Sequence, residues 1–160
     1  MADGRDMNTF PFFVVLGIVA ALSGCDSRQL SSGPETPAPG ETLAEVQRRE
    51  GMALESNWSL VSVTMSGKTV ETPGGSISFA GGKMILTDPG GATTTYRYRI
   101  DPLTQPKSIE MTDAQNTNAP PRYAIYELNG EGLRLCLGGE GKPPTAFDAD
   151  GGRVFLLHRK

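Results

Sequence analysis

From Trp58 to Arg159 apolar and polar residues alternate with a period of two, and the alternation is broken by short clusters of Gly, Pro, Asn and Asp. A period of two puts successive side chains on opposite faces of an extended chain, so each run reads as a strand and each cluster as a turn. Trp58, Leu60, Val61, Val63 and Met65 make a first strand that ends at Ser66-Gly67-Lys68. Ile77 and Phe79 alternate with Ser76 and Ser78, and Gly81-Gly82 is a two-residue hairpin connection into Lys83–Thr87. Asp88-Pro89-Gly90-Gly91 is a turn by composition. The next strand sets Thr94, Tyr96, Tyr98 and Ile100 on one face and Arg97 and Arg99 on the other. Ile109 and Met111 mark a strand after Pro106. Tyr123–Leu128 and Leu133–Leu137 flank a hairpin at Asn129-Gly130-Glu131-Gly132, and Arg153–Arg159 is the last strand.

Eight short strands joined by tight turns predict an all-β fold. Eight is also about the number at which a closed barrel is just filled by side chains or holds one small ligand, and closure removes exposed strand edges. The expectation is a small antiparallel eight-stranded up-and-down barrel, with a lumen plugged by Tyr, Ile, Leu and Phe. Ahead of it, Glu41–Leu54 is predicted as a short helix. Leu43, Val46, Ala53 and Leu54 fall at near-helical spacing, and Glu45, Gln47, Arg48 and Arg49 lie on the wet side. Such a helix would cover one face or end of the domain.

The start of the chain carries a different signal. Phe10–Leu22 is an apolar run too short to span a bilayer, which takes roughly 20 residues. It ends in Leu22-Ser23-Gly24-Cys25, which resembles the lipobox of bacterial lipoproteins. That resemblance implies a diacylglyceryl group on the Cys25 sulfur, cleavage before Cys25 and a further acyl chain on the new amino group. Two or more acyl chains hold a protein stably to a membrane, where one holds it marginally. Asp26–Gly40 is rich in Ser, Pro and Gly and reads as a tether. The expected organisation is signal peptide 1–24, lipidated Cys and tether 25–40, helix 41–54 and barrel 55–160. The chain would then be exported and lipid-anchored to a bacterial membrane, inner or outer. Asp26 resembles the inner-membrane retention signal of some Gram-negative bacteria. Initiation at Met7 rather than Met1 would remove Asp3, Arg5 and Asp6 ahead of the run.

Composition narrows the chemistry. Removing residues 1–24 moves the formal charge from −3 to −2, and with a pI of about 5.2 and no basic run a nucleic-acid partner is not expected. With Cys25 committed to lipid, Cys136 has no partner for an intramolecular disulfide; beside Arg134 its pKa could be lowered, but a buried structural thiol is the expectation. His158 is the single histidine, so a Ser-His-Asp triad or a His-based metal site would have to be built around it. Asp148-Ala149-Asp150-Gly151-Gly152 resembles a calcium loop but lacks the remaining ligand positions and the closing Glu, and it reads as a turn. No enzyme activity, metal or cofactor is expected, and the domain is expected to be monomeric.

The runs Leu54–Val61, Pro106–Ile109, Ala124–Leu128, Leu133–Cys136 and Pro144–Phe147 resemble, in order and spacing, an uncharacterised lipocalin-like domain abundant in planctomycetal bacteria. The chain departs from that pattern at Ser56, Ala124 and Pro143. The resemblance implies a calycin-type barrel with no established activity. It also implies that Trp58 on the first strand is covered by a basic residue of the last, here Arg159, the two closing one end of the barrel. Two roles fit a tethered barrel of this kind. One is a tethered module that binds a small apolar ligand or lipid in the barrel mouth, with Tyr96, Tyr98, Tyr123 and Tyr126 as candidate liners. The other is an envelope interaction or structural module with a filled lumen.

Overall fold

The structure, a computed structural model, describes residues 38–139, 141–148 and 152–160. The signal, Cys25, most of the tether and Asp150 lie outside the described residues. One helix, α1 (Leu43–Leu54), leads into nine strands: β1 (Ser56–Met65), β2 (Lys68–Glu71), β3 (Ser76–Ala80), β4 (Lys83–Thr87), β5 (Thr93–Asp101), β6 (Lys107–Asp113), β7 (Arg122–Asn129), β8 (Gly132–Leu137) and β9 (Arg153–Arg159).

All strand pairs are antiparallel. Each strand from β3 to β9 pairs with the next, β3 also pairs with β1, and β9 pairs back with β1 over Trp58–Met65. Eight strands therefore close into a lipocalin-like barrel, which is the predicted fold class. The ninth, β2, is not predicted from the sequence, which places Lys68 in the turn after the first strand and assigns no element to 69–71. Ser66 and Gly67 both have positive φ (49° and 73°), so the chain reverses directly after Met65 and Lys68–Glu71 returns along β1. All four of its residues are exposed, so no apolar alternation marked it.

β1 is shared along its length. Ser56–Ser59 pairs with β3, Ser62–Met65 pairs with β2, and a bulge between Leu60 and Ser62 separates the halves. Gly75 sits where the partners change. Its carbonyl accepts from the Leu60 N–H at 2.9 Å, and a Cβ there would lie 2.8 Å from Leu60 Cδ2. Gly75→Val is therefore expected to cost about 1–3 kcal/mol in a thermal or urea melt, as overpacked sites do. A variant as stable as the wild type would mean that Leu60 moves aside freely.

The inward positions fill the lumen. Trp58, Ile77, Phe79, Met84, Ile109, Met111, Tyr126, Leu133, Leu135 and Leu157 are all 1% exposed or less and form one cluster with Leu54 of α1. A second, smaller cluster lies outside the barrel wall, where Phe147 covers Ile125, Cys136 and Val154. On β7 and β9 the alternation thus feeds two cores, Tyr126 and Phe155 inward and Ile125 and Val154 outward.

Candidate functional site: the helix-closed end of the barrel

Thr42 starts α1 as a capping box. Its hydroxyl accepts from the Glu45 N–H, and the Glu45 carboxylate accepts from the Thr42 N–H at 2.7 Å. The Thr42 backbone N–H, then its hydroxyl, then Arg48 hold the Glu45 carboxyl below its ordinary value. The carboxylate half of that cap is present at neutral pH and weakens as acid protonates Glu45, while the bond from the Glu45 N–H to the Thr42 hydroxyl does not titrate.

The buried stripe of α1 is Val46, Glu50 and Leu54, spaced four residues apart. This corrects the face read from sequence, where Leu43 and Ala53 were placed with the apolar set. Leu43 is 50% exposed and Ala53 is exposed, while a glutamate occupies the middle of the buried stripe. A buried carboxylate needs donors, and the barrel supplies them. Lys107 Nζ lies 2.9 Å from Glu50 Oε1, and the Tyr126 hydroxyl donates to Oε2 at 3.2 Å.

The other end of the helix is held both locally and from the far end of the chain. The last carbonyls of a helix lack internal partners, and α1 has no basic residue in its last turn. Trp58 Nε1 donates to the Leu54 carbonyl at 3.0 Å, Arg159 Nη2 donates to the Ala53 carbonyl at 2.9 Å, and the Glu55 N–H donates to the Gly51 carbonyl. Trp58 and Arg159 are register partners on β1 and β9, and the guanidinium sits 4.5 Å from the indole centroid. One arginine thus covers the tryptophan and places positive charge at the negative end of the helix dipole.

The four tyrosines expected as liners do not meet around a cavity. Tyr126 is buried in the core with its hydroxyl on Glu50. Tyr98 packs edge-on against Phe79, centroids 5.2 Å apart, and burial followed by the nearby Glu55 charge pushes its phenol pKa up. Tyr96 is half-buried toward the end opposite α1. Tyr123 is three residues from Tyr126, so alternation turns it to the outer face, in register with Glu110.

Between β8 and β9, Phe147 and Asp148 lie against the outer wall. Arg134 lies 4.6 Å from the Phe147 centroid and donates to the Phe147 carbonyl, and the Cys136 thiol donates to the Asp148 carbonyl at 3.7 Å. Burial, then the Asp148 charge, raises the Cys136 pKa against the lowering effect of Arg134. Cys136 is therefore expected to react with a thiol reagent at pH 8 at least tenfold slower in the native protein than in urea. Phe147→Ala should speed it. Equal rates in folded and unfolded protein would contradict this cover.

His158 is exposed on β9, with Nδ1 3.0 Å from the Arg159 carbonyl. Among the described residues no group of three His, Cys, Asp or Glu side chains is arranged to hold a metal ion. Beside the first turn of α1 a surface cleft of about 540 Å³ opens between the helix and the ends of β5–β7, lined in part by Leu43, Arg99, Leu103, Glu110 and Tyr123.

Sequence reasoning missed Glu50 and Lys107. The signal was present as an acid flanked at four-residue spacing by Val46 and Leu54, but its partners come from β6 and β7, which the helix pattern alone does not reveal.

No family model and no curated protein matches the chain. Among solved structures, an uncharacterized protein from Bacteroides eggerthii DSM 20697 is similar at 12% identity and a TM-score of 0.43, over 67% of this chain and 99% of that one. The barrel rests on the strand pairing of this chain itself.

Proposed function

We propose that the chain is a lipid-anchored protein of a bacterial envelope whose lipocalin-like barrel is a filled scaffold, serving protein interaction or structure through its outer surface. One observation carries the reading. A barrel that carries a small molecule keeps a cavity of a few hundred Å³. Here the inward positions are occupied by Trp58, Phe79, Met84, Met111 and Tyr126, each 1% exposed or less.

The second reading, a small apolar ligand at the barrel mouth, is favoured by Val63, Leu86, Tyr96 and Leu137. These inward positions lie away from α1 and are only partly buried.

The anchor is tested by growing the host with radiolabelled palmitate. Label is expected on the wild type and absent from Cys25→Ser. Label on both, or on neither, would defeat the anchor at Cys25.

A further inference from the structure

Tyr98 and Ile100 of β5 and Ile109 and Met111 of β6 belong to the lumen cluster, so Arg99, Asp101 and Glu110 between or beside them face outward. Tyr123 of β7 shares that outer face. Arg99 is in register with Glu110, and Glu110 with Tyr123, so the three stand side by side across about 10 Å of sheet. Arg99 and Glu110 are exposed and Tyr123 is half-buried. Among the described residues no hydrogen bond or ion pair engages the Arg99 guanidinium, the Glu110 carboxylate or the Tyr123 hydroxyl, although Arg99 and Glu110 are register partners.

All three line the 540 Å³ cleft beside the first turn of α1, a volume within the range of small-molecule sites. Leu43 of the helix and Leu103 of the β5–β6 connection line it too, 50% and 44% exposed. Asp101 joins them with one carboxylate oxygen uncommitted, its Oδ1 accepting from the Leu103 N–H at 3.1 Å. The cleft thus sets one guanidinium against two carboxylates, with an aromatic ring and two leucines beside them. An anionic occupant would meet Asp101 and Glu110, and a cationic one would meet Arg99. A neutral ligand rich in hydroxyls opposes neither sign. Each of its hydroxyls both donates and accepts, so it can take an N–H from Arg99 and donate to a carboxylate. A sugar ring also carries a face of C–H groups, which suits Tyr123 and the leucines.

We infer that this cleft binds a segment of neutral oligosaccharide. Arg99 and Glu110 hydrogen-bond its hydroxyls, and Tyr123 lies against a ring face. The site is on the outer wall, so the inference goes beyond the filled-scaffold reading and holds with or without the anchor.

Saturation-transfer NMR on the full-length protein, in a detergent without sugar groups, tests it with cellotriose, maltotriose and triacetylchitotriose as millimolar probes. Saturation is expected to pass from the protein to the ring protons of at least one of them. Arg99→Ala and Glu110→Ala, both at exposed positions, should keep the wild-type melting temperature. Each should weaken binding of that sugar about tenfold, as the loss of one hydrogen bond to a charged group does. Tyr123→Phe, which keeps the ring, should retain most of the binding, and Tyr123→Ser should lose it. Three results would overturn the site: no transfer to any of the three sugars, transfer that survives both the Arg99 and the Glu110 substitutions, or displacement of the sugar by free leucine, a zwitterion, at the same concentration.

Discussion

Trp58→Ala is expected to destabilise the domain by about 3–5 kcal/mol, the usual range for emptying a fully buried aromatic site. In a domain of this size that is a fall of roughly 10–20 °C in melting temperature. Three separate losses combine at this position. The indole is fully buried at the α1 end of the lumen, its N–H holds the Leu54 carbonyl, and its ring carries the Arg159 guanidinium. Arg159→Ala alone removes the ring cover and the bond to the Ala53 carbonyl and should cost about 1–2 kcal/mol. In a double-mutant cycle the two should couple by about 0.5–2 kcal/mol, because both act on the same helix end. Strict additivity would mean that Arg159 holds the helix without help from the indole.

Glu50→Ala is expected to cost about 2–4 kcal/mol. Its side chain is 7% exposed and that of Lys107 is 22%, so the pair is shielded enough for its loss to be felt but not wholly dry. Truncation removes the acceptor used by both Lys107 and the Tyr126 hydroxyl. Glu50→Gln keeps the volume and one acceptor and should cost less than the alanine. Replacing both charges, Glu50→Leu with Lys107→Met, should recover much of the loss, since a packed apolar pair of similar size is often as stable as a buried ion pair. A Glu50→Ala protein within 0.5 kcal/mol of the wild type would show that α1 packs on Val46 and Leu54 alone.

The barrel was legible in the sequence because each strand buries one face. Ile77 and Phe79, Tyr96 and Tyr98, and Leu133 and Leu135 all repeat at two-residue spacing, and all belong to the lumen cluster. β2 was not legible, since an exposed strand with no buried residue leaves no such repeat. Tyr123 was set beside Tyr126 by residue type, although an odd spacing along a strand puts two residues on opposite faces. The stripe of α1 was misread for a related reason. Glu50 looks like a solvent-facing residue until Lys107 and Tyr126, 57 and 76 residues away, are brought to it by the closed sheet. Contacts of that kind are set by the register between strands, which a single periodic segment does not contain.

The central claim is a closed barrel whose lumen is occupied by its own side chains. Native mass spectrometry of the full-length protein, extracted from its own membrane in mild detergent and stripped of micelle in the gas phase, tests it directly. The expected spectrum shows the chain with its covalent acyl mass and nothing further. A stoichiometric non-covalent companion of a few hundred daltons, retained by the wild type and lost on unfolding, would contradict it and make the barrel a carrier.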